Sequence, residues 1–253
     1  MTSTPRTGLL ANTAIAFVLA AIINSLLHEL AHATAGLVVG LTPTVTPFAV
    51  EYQPTPTDAQ GIITAAAGPV WSLIISLVLM AVSRSWGSGF VRLFWLWLSF
   101  MGVMNFAGYL IIAGLVPVGD TGRALTLLGA PGLVFALAAV AGVALQFALG
   151  YGFARQVKRY APDIADQRTV ALRAWALGTG AILAVTLIEL AILRPGGAAV
   201  VAVTFYGLAV GIFAASVANR APDERRSRGA KPPPTTFARL REWGFAPSYD
   251  VVG

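Results

Sequence analysis

The 253-residue chain contains only two histidines, and they stand four residues apart in the string His28-Glu29-Leu30-Ala31-His32. On an α-helix that spacing leaves them ~40° apart around the axis and ~6 Å apart along it, so both imidazoles face the same way. Two imidazoles so placed can grip one zinc ion. Glu29 lies between them, angled toward a water on that ion, where its carboxylate can act as general base. The chemistry implied is metal-assisted hydrolysis. The competing reading is a polar cluster with a purely structural role.

A catalytic zinc usually takes three protein ligands and one water. There is no third histidine and no cysteine, so a carboxylate or an unusual group must complete the set. Asp120 is the first choice. It lies in Gly114-Leu115-Val116-Pro117-Val118-Gly119-Asp120-Thr121-Gly122-Arg123, where Pro117, Gly119 and Gly122 let the backbone bend back toward the bundle. The alternative for Asp120 is a solvated loop position paired with Arg123. Glu51 is the second choice, 19 residues beyond His32 but bracketed by prolines. Glu189 is the third. It falls inside an apolar segment and needs a partner there, such as Arg173 or Arg194, or a proton.

The elements that must hold these residues are membrane helices. Hydrophobic residues make up 57% of the chain and charged residues 11%, against about 25% charged in soluble domains. Six segments are long and apolar enough to span: Leu9–Val39, Ile62–Val82, Phe90–Val116, Gly132–Ala154, Val170–Leu193 and Ala198–Ala218. Each approaches or exceeds the ~20 residues that cross a ~30 Å hydrocarbon core. Their unbroken apolar runs lack the alternation of a membrane barrel. The expected fold is an all-α polytopic bundle of about six transmembrane helices. The first run is about 30 residues, beyond the ~7–15 of a signal peptide's apolar core, so it reads as a retained span. Ionisable groups within a span cost at least ~2.5–3.5 kcal/mol each on insertion scales. The three in span one call for compensation, which a metal supplies.

Basic residues orient the set. With the N-terminus inside, only Arg123 and Arg194 of the 17 Lys and Arg lie outside. Both termini are therefore expected in the cytoplasm, with the protein in the cell membrane. The connection Leu41–Gly61 carries four prolines and predicts an extended segment or a short hairpin at the membrane surface. The tail from Arg220 is polar, basic and proline-containing, and predicts a solvated segment in which Phe237–Phe245 could lie on anionic lipid. The absence of cysteine excludes disulfides and thiolate chemistry. No phosphate loop is present, and the basic residues follow one membrane face rather than forming a groove, so nucleic acid is not an expected partner.

Three stretches together resemble the site-2 protease family of intramembrane zinc metalloproteases. They are Leu26–Ala33 (LLHELAHA), Ala65–Ser72 (AAAGPVWS) and Pro117–Leu125 (PVGDTGRAL). The resemblance covers about residues 9–130. It divides the chain into a metalloprotease-like core at 1–130, additional transmembrane helices at 131–219 and a cytoplasmic tail at 220–253. It implies one Zn2+ per chain on His28, His32 and Asp120, with Glu29 as general base. The implied substrate is a peptide bond in or beside a membrane helix of another protein. Substrate contacts are then expected from Asn105 and from the extended segment, at Val45, Phe48 and Val50, by strand addition. This sequence departs from the family pattern in placing Thr121 between Asp120 and Gly122, and Asn105 15 residues before Asp120. Family members also hold zinc toward the cytoplasm, whereas the charge distribution here puts the motif-bearing ends outside. The competing functions are a non-catalytic metal-binding scaffold, a transporter subunit that retains the motif, and a degenerate enzyme. A homo-oligomer or a membrane-complex partner is compatible with each.

Overall fold

The computed structural model describes residues 6–46, 49–82, 89–161 and 163–193, without the side chains of 6, 7, 159, 160, 164, 186 and 189–193. In chain order these form α1 (Arg6–Val38), strands β1 (Thr42–Val45) and β2 (Val50–Gln53), α2 (Asp58–Val82), α3 (Gly89–Leu115), α4 (Gly119–Leu127), α5 (Gly132–Tyr160), α6 (Ile164–Arg168), a π-helical turn (Thr169–Arg173) and α7 (Ala174–Leu193). The fold is a mostly helical bundle carrying one small hairpin. Among the described residues, four helices are long and apolar enough to cross a membrane: Gly8–Val38, Asp58–Val82, Gly89–Leu115 and Gly132–Lys158. They match the first four expected spans. Helix α7 covers 20 residues of the expected fifth. The expected sixth, Ala198–Ala218, and the basic tail lie outside the described residues.

Helix α3 is the hub and packs on α1, α2, α4 and α5. Its first half builds the aromatic core. Phe17 of α1 meets Trp97 edge-on at 4.8 Å, and Trp97 in turn meets Phe153 of α5 at 4.7 Å. Met101 and Met104 fill the space beside them. Helices α2 and α3 approach closely at Gly102, where an added Cβ would lie 2.9 Å from the Ser72 carbonyl carbon. Such small-residue contacts let helices pack where lipid supplies no hydrophobic drive. The outer faces stay apolar, with Ile22, Leu37, Val78, Leu133 and Val140 exposed.

Local chemistry sets the turn between α1 and α2. Helix α1 ends in a Schellman motif: Leu41 N–H donates to Gly36 C=O and Gly40 N–H to Leu37 C=O, with Gly40 at φ 83°. Helix α2 starts with a capping box, in which Thr57 N–H donates to Gln60 Oε1 at 2.9 Å and Gln60 N–H to Thr57 Oγ1 at 3.4 Å. The Gln60 amide also donates to Val39 C=O at 2.9 Å, which ties the two helix ends together. Between them the proline-rich connection forms an antiparallel hairpin, with Val45 opposite Val50 and Pro43 opposite Tyr52.

Replacing Gly102 tests the α2–α3 contact. Gly102→Val is expected to destabilise the bundle by roughly 1–3 kcal/mol through overpacking, read as a lower unfolding midpoint in detergent. An unchanged midpoint would mean the two helices do not meet there.

Candidate metal centre

The histidine motif lies in the last third of α1. Val38 ends the helix 10 residues beyond His28 and six beyond His32, so the imidazoles sit ~15 and ~9 Å below that end. Both are buried, at 3% and 5% exposure. His28 Nε2 and His32 Nε2 are 3.0 Å apart, and Asp120 Oδ2 lies 2.9 Å from the first and 3.1 Å from the second. Three ligand atoms thus form a nearly equilateral triangle. His28, His32 and Asp120 are a group that can hold a metal ion.

The outward-facing nitrogens decide what that triangle is. His32 Nδ1 lies 2.7 Å from the Thr64 carbonyl oxygen. A carbonyl only accepts, so Nδ1 carries the proton, and in the neutral ring Nε2 presents a lone pair to the centre. His28 Nδ1 meets Ser72 Oγ at 3.2 Å, which lets His28 adopt the same tautomer. With both rings neutral and Asp120 ionised, three lone pairs converge at about 3 Å. That arrangement is repulsive without a cation among them, and two imidazoles with one carboxylate are a donor set for a divalent metal. Tetrahedral bonds to nitrogen and oxygen give ligand–ligand edges of about 3.3–3.5 Å, so binding needs only a slight outward movement of each atom. Hydrogen bonds from the outer nitrogens are the usual means of orienting such ligands.

Helix α2 supplies this orientation from one face. Thr64, Gly68 and Ser72 are spaced four residues apart and therefore stack on one side of the helix. Pro69 has no N–H to give the carbonyl four residues back, and the neighbouring Thr64 carbonyl is the one that accepts from His32. Gly68 leaves the room: a Cβ there would meet His32 Nε2 closely and stand 2.7 Å from His28 Nε2.

Asp120 arrives from α4. Gly119 adopts φ 72° and turns the chain after α3. Val118 stands at the N-cap without a side-chain cap, and the Asp120 carboxylate in the first turn meets the two histidines. Without a metal, burial pushes its pKa up, but His28 and His32 in their protonated form, donating from Nε2, outweigh this and hold it well below the usual carboxylate range; a bound metal takes the place of those protons. The helix N-terminus favours the same ionised form.

Glu29 follows His28, is half-buried and lies within electrostatic reach of His28, His32 and Asp120. It is not one of the three converging ligands. Glu51 is exposed. Strand alternation sets it on the face of β2 opposite Tyr52, whose hydroxyl donates to His32 C=O at 3.1 Å. Glu51 is therefore not brought to the triangle. Glu189 is on α7, and its side chain lies outside the described residues. Val45 and Val50 are cross-strand neighbours on the Tyr52 face, and Phe48 lies outside the described residues. Asn105 is half-buried on α3, one turn before Tyr109 and on its face. Tyr109 itself stacks on His28.

Thr64, Gly68, Ser72, Tyr52 and Tyr109 carry the site and were not singled out as site residues from sequence. The four-residue spacing of Thr64, Gly68 and Ser72 was a usable signal, since it repeats the spacing of the histidines. Neither tyrosine had one, because each acts through an element whose packing is non-local. No family model, curated protein or solved structure matches the chain.

Two outcomes follow from this geometry. Gly68→Ala is expected to abolish stoichiometric metal binding while the helical content persists, measured as metal per protein after dialysis. Full occupancy in that variant would contradict the packing described. For pH, each ligand must shed its proton to bind, so bound metal is expected to be released on acidification, measured as metal per protein after dialysis at falling pH. Occupancy that does not fall in acid strong enough to protonate carboxylates would contradict this.

Proposed function

We propose that this chain is a zinc-dependent intramembrane endopeptidase of the site-2 protease type. The observation that carries the reading is the convergence of His28 Nε2, His32 Nε2 and Asp120 Oδ2 to about 3 Å, with Glu29 beside them. Zinc held there would supply Lewis acidity, acidifying water and drawing charge from a scissile carbonyl. The remaining work falls to the chain's own groups. Glu29 accepts the proton of the attacking water and returns it to the leaving amine. The Thr64 carbonyl and the Ser72 hydroxyl keep the imidazole lone pairs aimed inward. The surrounding helices restrict bulk water, which strengthens each electrostatic contact.

The substrate in this reading is a locally unwound segment of another membrane protein. A helix hides its carbonyls, so the segment must extend before attack. The β1–β2 hairpin is joined to the metal helix through Tyr52 and His32, and it supplies strand edges to which an extended peptide can add, with Val45, Phe48 and Val50 as contacts. Asn105 is the candidate polar contact from α3. The distribution of basic residues supports cytoplasmic termini in the cell membrane. The hairpin and α4 then face outward, opposite to the family's usual arrangement.

Glu29→Gln is the deciding variant. It is expected to retain zinc and to lose about 10²–10⁴-fold of cleavage rate on a transmembrane peptide substrate reconstituted in liposomes. Undiminished cleavage would overturn the mechanism. Zinc retention with no cleavage by the wild type would favour a metal-binding scaffold. For topology, the cysteine-free chain permits single-cysteine labelling. Thr42→Cys should react with an impermeant maleimide from outside the cell, and labelling only after lysis would reverse the orientation.

A further inference from the structure

The two histidines are not equally fixed. His32 is oriented by a 2.7 Å hydrogen bond to a main-chain carbonyl. The outer nitrogen of His28 instead meets a hydroxyl that rotates, at 3.2 Å. A small rotation of its ring would carry Nε2 off the triangle. The Tyr109 ring supplies the missing constraint. It lies parallel to the His28 imidazole, with 5.2 Å between centroids and 5° between planes, in the range of offset stacking.

The same ring also meets the turn that delivers the third ligand. A Cβ built on Gly119 would lie 3.2 Å from Tyr109 Cε1 and 3.4 Å from Cδ1, so this edge of the ring runs along the Gly119 backbone. Asp120 is the next residue. Gly119 holds φ 72°, a conformation that disfavours other residues. Tyr109 thus touches one ligand on its face and the support of another along its edge. The histidine comes from α1 and the aspartate from α4, while the ring comes from α3, the helix packed against both.

We infer that Tyr109 is a positioning residue of the metal centre, an aromatic spacer that fixes the His28 imidazole and the Gly119–Asp120 turn relative to each other. This rests on the metal reading above and goes beyond it by assigning a positioning task to the plane of the ring. A leucine would fill part of the space but offer no plane, whereas phenylalanine would keep it.

The test is zinc affinity of the purified full chain in detergent, by competition with a chelating indicator, together with the visible absorption of the Co2+-loaded protein. Tyr109→Leu is expected to bind zinc about 10–100-fold more weakly, as loss of an orienting partner does, and to show an altered Co2+ spectrum. Tyr109→Phe, which keeps the ring plane, should stay closer to the wild type than Tyr109→Leu in both. Gly119→Ala, which crowds the same ring edge, should weaken zinc in the same direction and serves if Tyr109→Leu does not fold. Wild-type affinity and spectrum in Tyr109→Leu would overturn the inference, as would equal loss in Tyr109→Phe. A wild-type protein that takes up neither metal would instead overturn the metal reading itself.

Discussion

Three electron-pair donors facing one another at about 3 Å are the constraint on which the rest of this structure depends. Two are imidazole nitrogens and one is a carboxylate oxygen. Left to themselves they repel, or share protons. Held rigidly they favour a cation, and their type favours a divalent metal bound by nitrogen and oxygen. Much of the local architecture near them keeps the triangle small. Gly68 removes a side chain from its edge, the Thr64 carbonyl fixes one ring, and the α4 turn brings a carboxylate that no cap consumes.

The bundle divides this work between its two ends. Phe17, Trp97 and Phe153 knit α1, α3 and α5 together toward the start of α1 and α3. The His28–His32–Asp120 group occupies the other end of the bundle, near the hairpin. A polar site inside an apolar bundle costs solvation, and packing at a distance can hold it without adding polar groups nearby. Helix α3 serves both ends, since Trp97 and Tyr109 stand on the same helix. The hairpin is fastened rather than merely adjacent, because the Tyr52 ring fills the notch at Gly36 and its hydroxyl reaches the His32 carbonyl.

Local features of the sequence carried much of this. The four-residue histidine spacing on an apolar run fixes a shared helical face, and length and composition alone identify the first four spans. Asp120 was legible as the first choice because Pro117, Gly119 and Gly122 mark a break where a carboxylate can return. Proline density around Glu51 already argued against a helix there, and the hairpin turns Glu51 outward. Less legible was everything that depends on one helix seen from another. Tyr109 is one aromatic among many in α3, and only the packing of α3 against α1 and α4 turns its ring toward His28. The Thr64 carbonyl is a backbone atom with no signature of its own, although Pro69 nearby marks where the helix ladder is interrupted.

Anomalous diffraction at the zinc edge from crystals of the zinc-loaded full chain tests the central claim most directly. One peak is expected within about 2.0–2.2 Å of His28 Nε2, His32 Nε2 and an Asp120 carboxylate oxygen. A peak bonded to any other set of residues, or no peak in protein loaded with zinc, would contradict the account.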